Sequence, residues 1–122
     1  RNDAELVAAQ DSVKHTKALS DRKQLDLKSN ESRIADWRVK LNSCSNNKEY
    51  QTMIDQIAAA EMAGSVLADE ILETMERIDQ LESVVVEVKE RLAAGKTELS
   101  KFRDSVAQEG ALIAADVARL EV

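Results

Sequence analysis

Apolar residues recur at every seventh position through the second half of the chain. Nine of the ten members of this series are aliphatic, and the series is Ile57, Gly64, Ile71, Ile78, Val85, Leu92, Leu99, Val106, Ile113 and Leu120. A seven-residue apolar repeat of this length is typical of a helix that packs along another helix with left-handed supercoiling. The pattern therefore predicts one long coiled-coil helix over about residues 48–120.

The first segment has a weaker heptad of its own, which predicts a helix over about residues 1–42. Its a positions are mostly aliphatic, but three of its five d positions are polar, at Thr16, Lys23 and Asn30. A helix with so many polar seam residues is a poor partner for a copy of itself. We therefore expect the first helix to pack against the better-patterned second helix.

A cluster of turn-forming residues separates the two heptads and predicts a turn at about residues 43–47. Asn and Ser side chains there can hydrogen-bond to nearby main chain and so compete with a helix. Asn46 followed by Glu49 resembles a capping box, which marks a helix start near Lys48. A short turn between two heptad helices predicts an all-α fold, a long antiparallel coiled-coil hairpin forming a single domain over 1–122.

The register of the hairpin can be predicted by requiring paired positions to sum to 94, which centres the turn at Asn47. This register places Trp37 opposite Ile57 and Asn30 opposite Gly64. It also places Lys23 opposite Ile71, with the lysine stem on apolar surface and its ammonium reaching water. The basic stretch 14–28 then lies beside the acidic stretch 66–80, and such charge pairing favours one register.

Residues beyond about 93 have no partner within this hairpin, although their apolar pattern continues. Three arrangements that would bury these apolar residues are consistent with the pattern. They are an N-terminal extension of the first helix, a second copy of the chain pairing through 94–122, and a fold-back at Gly95. The heptad passes through Gly95 without a shift, and an interior glycine costs a helix only about 1 kcal/mol. We therefore expect an unbroken helix.

Composition excludes several classes of function. Aromatic residues make up 2% of the chain and proline is absent, so a large globular core is not expected. The formal charge is −6, and an acidic rod is a poor ligand for phosphates, which argues against nucleic-acid binding by this segment. No apolar run is long enough for a membrane span. The first residue is not methionine, and this absence suggests a piece of a longer protein.

Two stretches resemble the coiled-coil hairpin of the bacterial C4-type zinc-ribbon proteins. The first is Asn46-Asn47-Lys48-Glu49-Tyr50-Gln51 at the turn, and the second runs from Leu67 to Ile78 in the following helix. In that family the hairpin precedes a small zinc ribbon with four cysteines. This chain has only Cys44, so the resemblance covers the coiled-coil part, about residues 40–82, and implies zinc only in a downstream ribbon.

The resemblance implies a cytoplasmic adaptor, whose rod binds proteins of transcription or of flagellar and secretion systems. No cofactor is expected in this chain, and no converging set of Ser, Cys, His or Asp residues points to an enzyme. The alternative hypothesis is a purely structural rod or spacer from a larger filament- or motor-type protein. Four zinc-binding cysteines in the gene sequence that follows this segment would favour the adaptor, whereas further heptads there would favour the structural rod.

The candidate partner-binding site is the tip of the hairpin, formed by Asn46, Asn47, Lys48, Glu49 and Tyr50. The competing interpretation is a simple cap and turn, with Tyr50 and Met53 packed onto Trp37. His15 is expected to be solvated, because no second histidine accompanies it. Cys44 is expected to be exposed and inert, because no cationic cluster lies near it in sequence.

Overall fold

A computed structural model describes residues 2–120 of the chain and shows two helices within them. Helix α1 spans Asn2–Leu41 and helix α2 spans Asn47–Leu120, with 40 and 74 residues. The predicted all-α hairpin is confirmed, and each helix boundary at the turn lies one residue from its prediction. Residues 1, 121 and 122 lie outside the described residues, so the parts of the predicted helix, domain and pairing ranges that fall on them stay predictions.

The two helices run antiparallel, as contacts at both ends of the pair show. At the open end, Arg91 Nη1 donates to Glu5 Oε1 at 3.1 Å. Near the turn, Arg38 forms an ion pair with Glu61. Glu61 lies five residues from the position opposite Arg38 in the predicted register, and Arg91 lies two residues from the position opposite Glu5, offsets that these long side chains span. The beginning of α1 therefore lies beside the middle of α2.

The seam between the helices is a narrow apolar strip rather than a globular core. Its buried apolar residues are Ile57, Ile71 and Val88. Ile57 and Ile71 belong to the seven-residue series, and Val88 follows Val85 of that series by three residues, at the d position of the same heptad. Trp37, predicted to lie opposite Ile57, is half-buried. Because two helices cover each other on one side only, every layer of the seam keeps some exposure to water.

Polar side chains occupy part of the seam and are hydrogen-bonded there. Asn30 is 6% exposed, and its Nδ2 donates to the main-chain carbonyl of Ala60 at 2.8 Å. Ser20 is 3% exposed, and its hydroxyl accepts a hydrogen bond from Gln24 Nε2 at 3.2 Å. Among residues 3–120, every buried side-chain nitrogen and oxygen has a partner, which removes the main cost of burying polar groups.

Lys23 departs in part from its prediction. Its ammonium was expected to reach water, but it donates to Glu70 Oε2 at 2.6 Å instead. Glu70 precedes Ile71, the residue predicted to lie opposite Lys23. The lysine stem can therefore lie along the seam while its ammonium binds the Glu70 carboxylate. This contact confirms at one point that the basic stretch of α1 lies beside the acidic stretch of α2.

Helix α2 continues far beyond the start of α1, as predicted. It passes through Gly95 without interruption, and Leu92 is the last half-buried residue along it. Side chains from 93 to 120 are all exposed. We refer to residues 93–120 as the distal arm, which extends about 40 Å past the hairpin at 1.5 Å per residue.

Candidate functional site

The tip of the hairpin begins where α1 tightens into its final turn. The main-chain amides of Ser43 and Cys44 donate to the carbonyls of Lys40 and Leu41 at 3.0 and 3.3 Å. The Ser43 hydroxyl also donates to the Lys40 carbonyl, at 2.9 Å. These bonds span three residues rather than four, and they satisfy carbonyls that the end of a helix leaves without an intrahelical partner. The chain leaves α1 in a defined direction as a result.

Asn46 caps the start of α2. Its Oδ1 accepts a hydrogen bond from the amide of Glu49 at 2.8 Å, and its carbonyl accepts one from the amide of Tyr50 at 3.1 Å. The first of these bonds is the cap contact that the Asn46 to Glu49 spacing predicts. Asn46 is thus the cap itself, and α2 begins at Asn47, one residue before the predicted Lys48.

An open groove of about 630 Å³ lies on one side of the tip. Its lining combines both charges with a thioether and a thiol, and consists of Lys40, Ser43, Cys44, Asn46, Lys48, Glu49, Thr52, Met53 and Gln56. The groove is too open to enclose a small molecule. Its chemistry suits a peptide segment, which could be held by hydrogen bonds at the rim and by apolar contact with Met53.

The predicted tip residues divide between this groove and the surface around it. Asn46, Lys48 and Glu49 line the groove, whereas Asn47 and Tyr50 lie outside its lining. All five are exposed, and Tyr50 is 44% exposed. With 44% of its surface exposed, Tyr50 offers part of its side chain to a partner while the rest is covered by the protein, so the cap-and-turn alternative stays open.

Sequence reasoning missed the part of the groove that belongs to the first turns of α2. Thr52, Met53 and Gln56 follow Glu49 at steps of three and four residues, so they share one face of the helix. This spacing in the sequence could have identified these three residues as neighbours of Glu49 on the surface of the helix. Lys40 could not be found in the same way, because it reaches the groove from the other helix.

Two single-residue predictions have different outcomes. His15 is exposed, as predicted. Cys44 is half-buried rather than exposed, and its Sγ lies 3.6 Å from the Lys40 carbonyl. The tight end of α1 turns this side chain toward the helix, which explains the difference.

Within residues 2–120, no group of three or more His, Cys, Asp or Glu side chains is arranged to hold a metal ion. Neither described helix is long and apolar enough to cross a membrane. The chain matches no protein-family model, no curated protein and no solved structure.

Proposed function

We propose that the chain is the coiled-coil part of a non-enzymatic cytoplasmic adaptor that binds other proteins through the tip of its hairpin. The observation that carries this proposal is the 44% exposure of Tyr50 beside the groove. Tyrosine combines an apolar ring with a polar hydroxyl, and it is enriched where proteins contact one another. An exposed tyrosine next to a groove of mixed charge is a suitable anchor for a protein partner.

The local structure of the tip supports a binding role. The Asn46 cap and the bonds from Ser43 to Lys40 hold the tip main chain in place before any partner arrives. A surface that is already ordered loses less conformational entropy on binding than a flexible loop does. The long hairpin also places the tip about 70 Å from the distal arm, so a partner at the tip does not contact the arm.

The zinc-ribbon resemblance supplies the finer expectations in this proposal. They are a bacterial protein, partners in transcription or in flagellar and secretion systems, and a zinc ribbon following this segment. The turn from Asn46 to Gln51 is the part of the sequence that supports them. Four cysteines in two CxxC pairs within the downstream gene sequence would favour this origin, whereas their absence would leave a protein-binding hairpin of another family.

A structural rod or spacer remains the second candidate function. The length of α2 favours it, because 74 residues of uninterrupted helix extend about 110 Å. Such a rod would hold two other domains of a larger protein apart and would need no binding site at the tip. Continued heptads downstream would favour this candidate over the adaptor.

A photoreactive amino acid placed at Tyr50 tests the adaptor proposal in living cells. We expect this probe to crosslink a discrete protein partner after irradiation. The matched control carries the same probe at Leu25, which is 66% exposed on the side of the hairpin. Equal adducts from both positions, or none from position 50, would argue for the rod.

A further inference from the structure

The distal arm presents a straight row of apolar side chains. Leu99 and Val117 are 18 residues apart, as are Phe102 and Leu120, and this interval equals five full turns of an α-helix. Because α2 is unbroken here, each pair lies in line along the helix. The full row is Gly95, Leu99, Phe102, Val106, Gly110, Ile113, Val117 and Leu120. Its heptad members keep their seven-residue spacing, but Gly110 and Val117 take the places that Glu109 and Asp116 would hold in a strict heptad. Both carboxylates therefore lie beside the row.

This row continues the seam that α1 covers as far as Leu92. Its members beyond that point are open to water, with Phe102 67% and Ile113 63% exposed. A contiguous apolar row of this kind marks a surface that is covered by another helix. We infer that it is covered by the distal arm of a second copy of this chain, packed antiparallel with Val106 at the two-fold axis.

The position of α1 selects the antiparallel direction. Glu5 bonds to Arg91 at the open end of the hairpin, so α1 occupies the seam face of α2 up to this point. In a parallel dimer, the second α2 would have to continue into the space that α1 already fills. In the antiparallel dimer, Leu120 of the second copy lies opposite Leu92, so the two described arms overlap along their whole length and α1 of each copy lies outside that overlap.

Antiparallel packing about Val106 places only apolar residues opposite one another. Val106 meets Val106 of the second copy at the axis, and Leu99 meets Ile113 on either side of it. A strict heptad would have brought Glu109 or Asp116 into these layers. The straight row leaves both carboxylates at the edge of the contact.

The two glycines of the arm gain a role in this arrangement. Phe102, the only phenylalanine in the chain, lies opposite Gly110 of the second copy, and Gly95 lies opposite Val117. A β carbon added at either glycine meets nothing within 4 Å in the single chain, so the hairpin itself does not require them. Glycine opposite a large side chain fills a layer between two helices without overpacking.

The charge of the arm is compatible with self-association. It contains four basic and four acidic residues, namely Lys96, Lys101, Arg103, Arg119, Glu98, Asp104, Glu109 and Asp116. The arm is therefore neutral within a chain of formal charge −6, and two arms meet without net repulsion. Glu98 lies beside Asp116 of the second copy, where the ion pair between Asp116 and Arg119 reduces their repulsion.

Solution mass and shape provide the first test. Light scattering of the 13.5 kDa chain should give twice that mass at micromolar concentration. X-ray scattering should give a longest dimension of about 180 Å, from two α2 helices that overlap along the arm. A monomer of about 110 Å would overturn the inference. A dimer of that same length would overturn it too, because its two α2 helices would overlap along their whole length and not along the arm alone.

Single cysteines in a Cys44→Ser background test the direction and register. Val106→Cys should form a disulfide between copies, because it sits at the two-fold axis. Leu99→Cys is the matched control and should not, because its counterpart lies about 20 Å away along the dimer. Crosslinking at both positions would indicate parallel helices, and crosslinking at neither would remove the proposed contact.

The layer formed by Phe102 of one copy and Gly110 of the other can be tested with a disruptive substitution and a second substitution that compensates for it. Gly110→Phe should weaken dimerisation at least tenfold, because it sets two phenylalanines against each other in each of two layers. Combining it with Phe102→Gly restores one large and one small residue per layer and should recover most of the affinity. Circular dichroism checks that the helix remains intact in both variants. Equal dimerisation of the chain and the Gly110→Phe variant would overturn the register.

Discussion

The side-chain amide of Asn30 occupies the space that a β carbon on Gly64 would need, since Nδ2 lies 2.8 Å from that position. The same Nδ2 donates to the Ala60 carbonyl at 2.8 Å, so the amide cannot move aside without losing its hydrogen bond. A shift of the helices by one heptad would leave this buried amide opposite a residue with a side chain. The Asn30 and Gly64 layer therefore favours a single alignment of α1 on α2.

Gly64→Ala tests this layer. Alanine raises helix stability by about 1 kcal/mol relative to glycine, but here it would disrupt a buried hydrogen bond worth about the same or more. We expect the free energy of unfolding to stay level or fall by about 1 kcal/mol. In an Asn30→Ala background the space beside Gly64 is open. Gly64→Ala should then raise the free energy of unfolding by about 1 kcal/mol. Urea denaturation measures both, and additive effects would show that the two residues do not share this space.

An engineered disulfide tests the alignment directly. Val13→Cys with Leu81→Cys, in a Cys44→Ser background, should crosslink within one chain under mild oxidation, because the register places these positions opposite each other. The matched control pairs Val13→Cys with Val88→Cys, which lies one heptad or about 10 Å farther along α2. Gel mobility and mass spectrometry identify the product. Crosslinking of the control in preference to position 81 would contradict the register.

Removal of the cap should weaken the start of α2. Asn46→Ala deletes the acceptor of the Glu49 amide, and loss of such a cap costs about 1 kcal/mol. Asn47→Ala is a suitable control, because that residue is already inside the helix and its replacement should change stability by less than about 0.5 kcal/mol. Thermal melts of the two variants give the comparison, and equal melting temperatures would exclude a stabilising role for the cap.

Trp37 should be the largest single contributor to the seam near the tip. Trp37→Ala should lower the free energy of unfolding by about 3 kcal/mol, the lower end of the range for large aromatic residues, because the side chain is only half-buried. Tyr50→Ala, on the exposed tip, should cost less than about 0.5 kcal/mol. Urea denaturation followed by circular dichroism measures both. A similar loss for the two variants would mean that Tyr50, too, packs into the seam.

Much of the fold could be predicted because its signals are local. Apolar residues at three- and four-residue steps predict the helices, and the cluster from Asn42 to Asn47 predicts the turn. The Asn46 cap was predictable for the same reason, since its donor is only three residues away. The exposed fraction of Tyr50 was not, because packing onto Trp37 and projection into water are both compatible with its position in the sequence.

By itself, the sequence determined the helical class, the site of reversal and the alignment of the two helices, since heptad spacing and complementary side-chain size are properties of the sequence. Only the tertiary structure decided that Lys23 ends on Glu70, that Asn30 bonds to Ala60, and that Lys40 meets the first turns of α2 at the groove. These contacts join atoms from different helices. Their distances depend on rotamers and on the axial offset of the pair, to which a seven-residue pattern is insensitive.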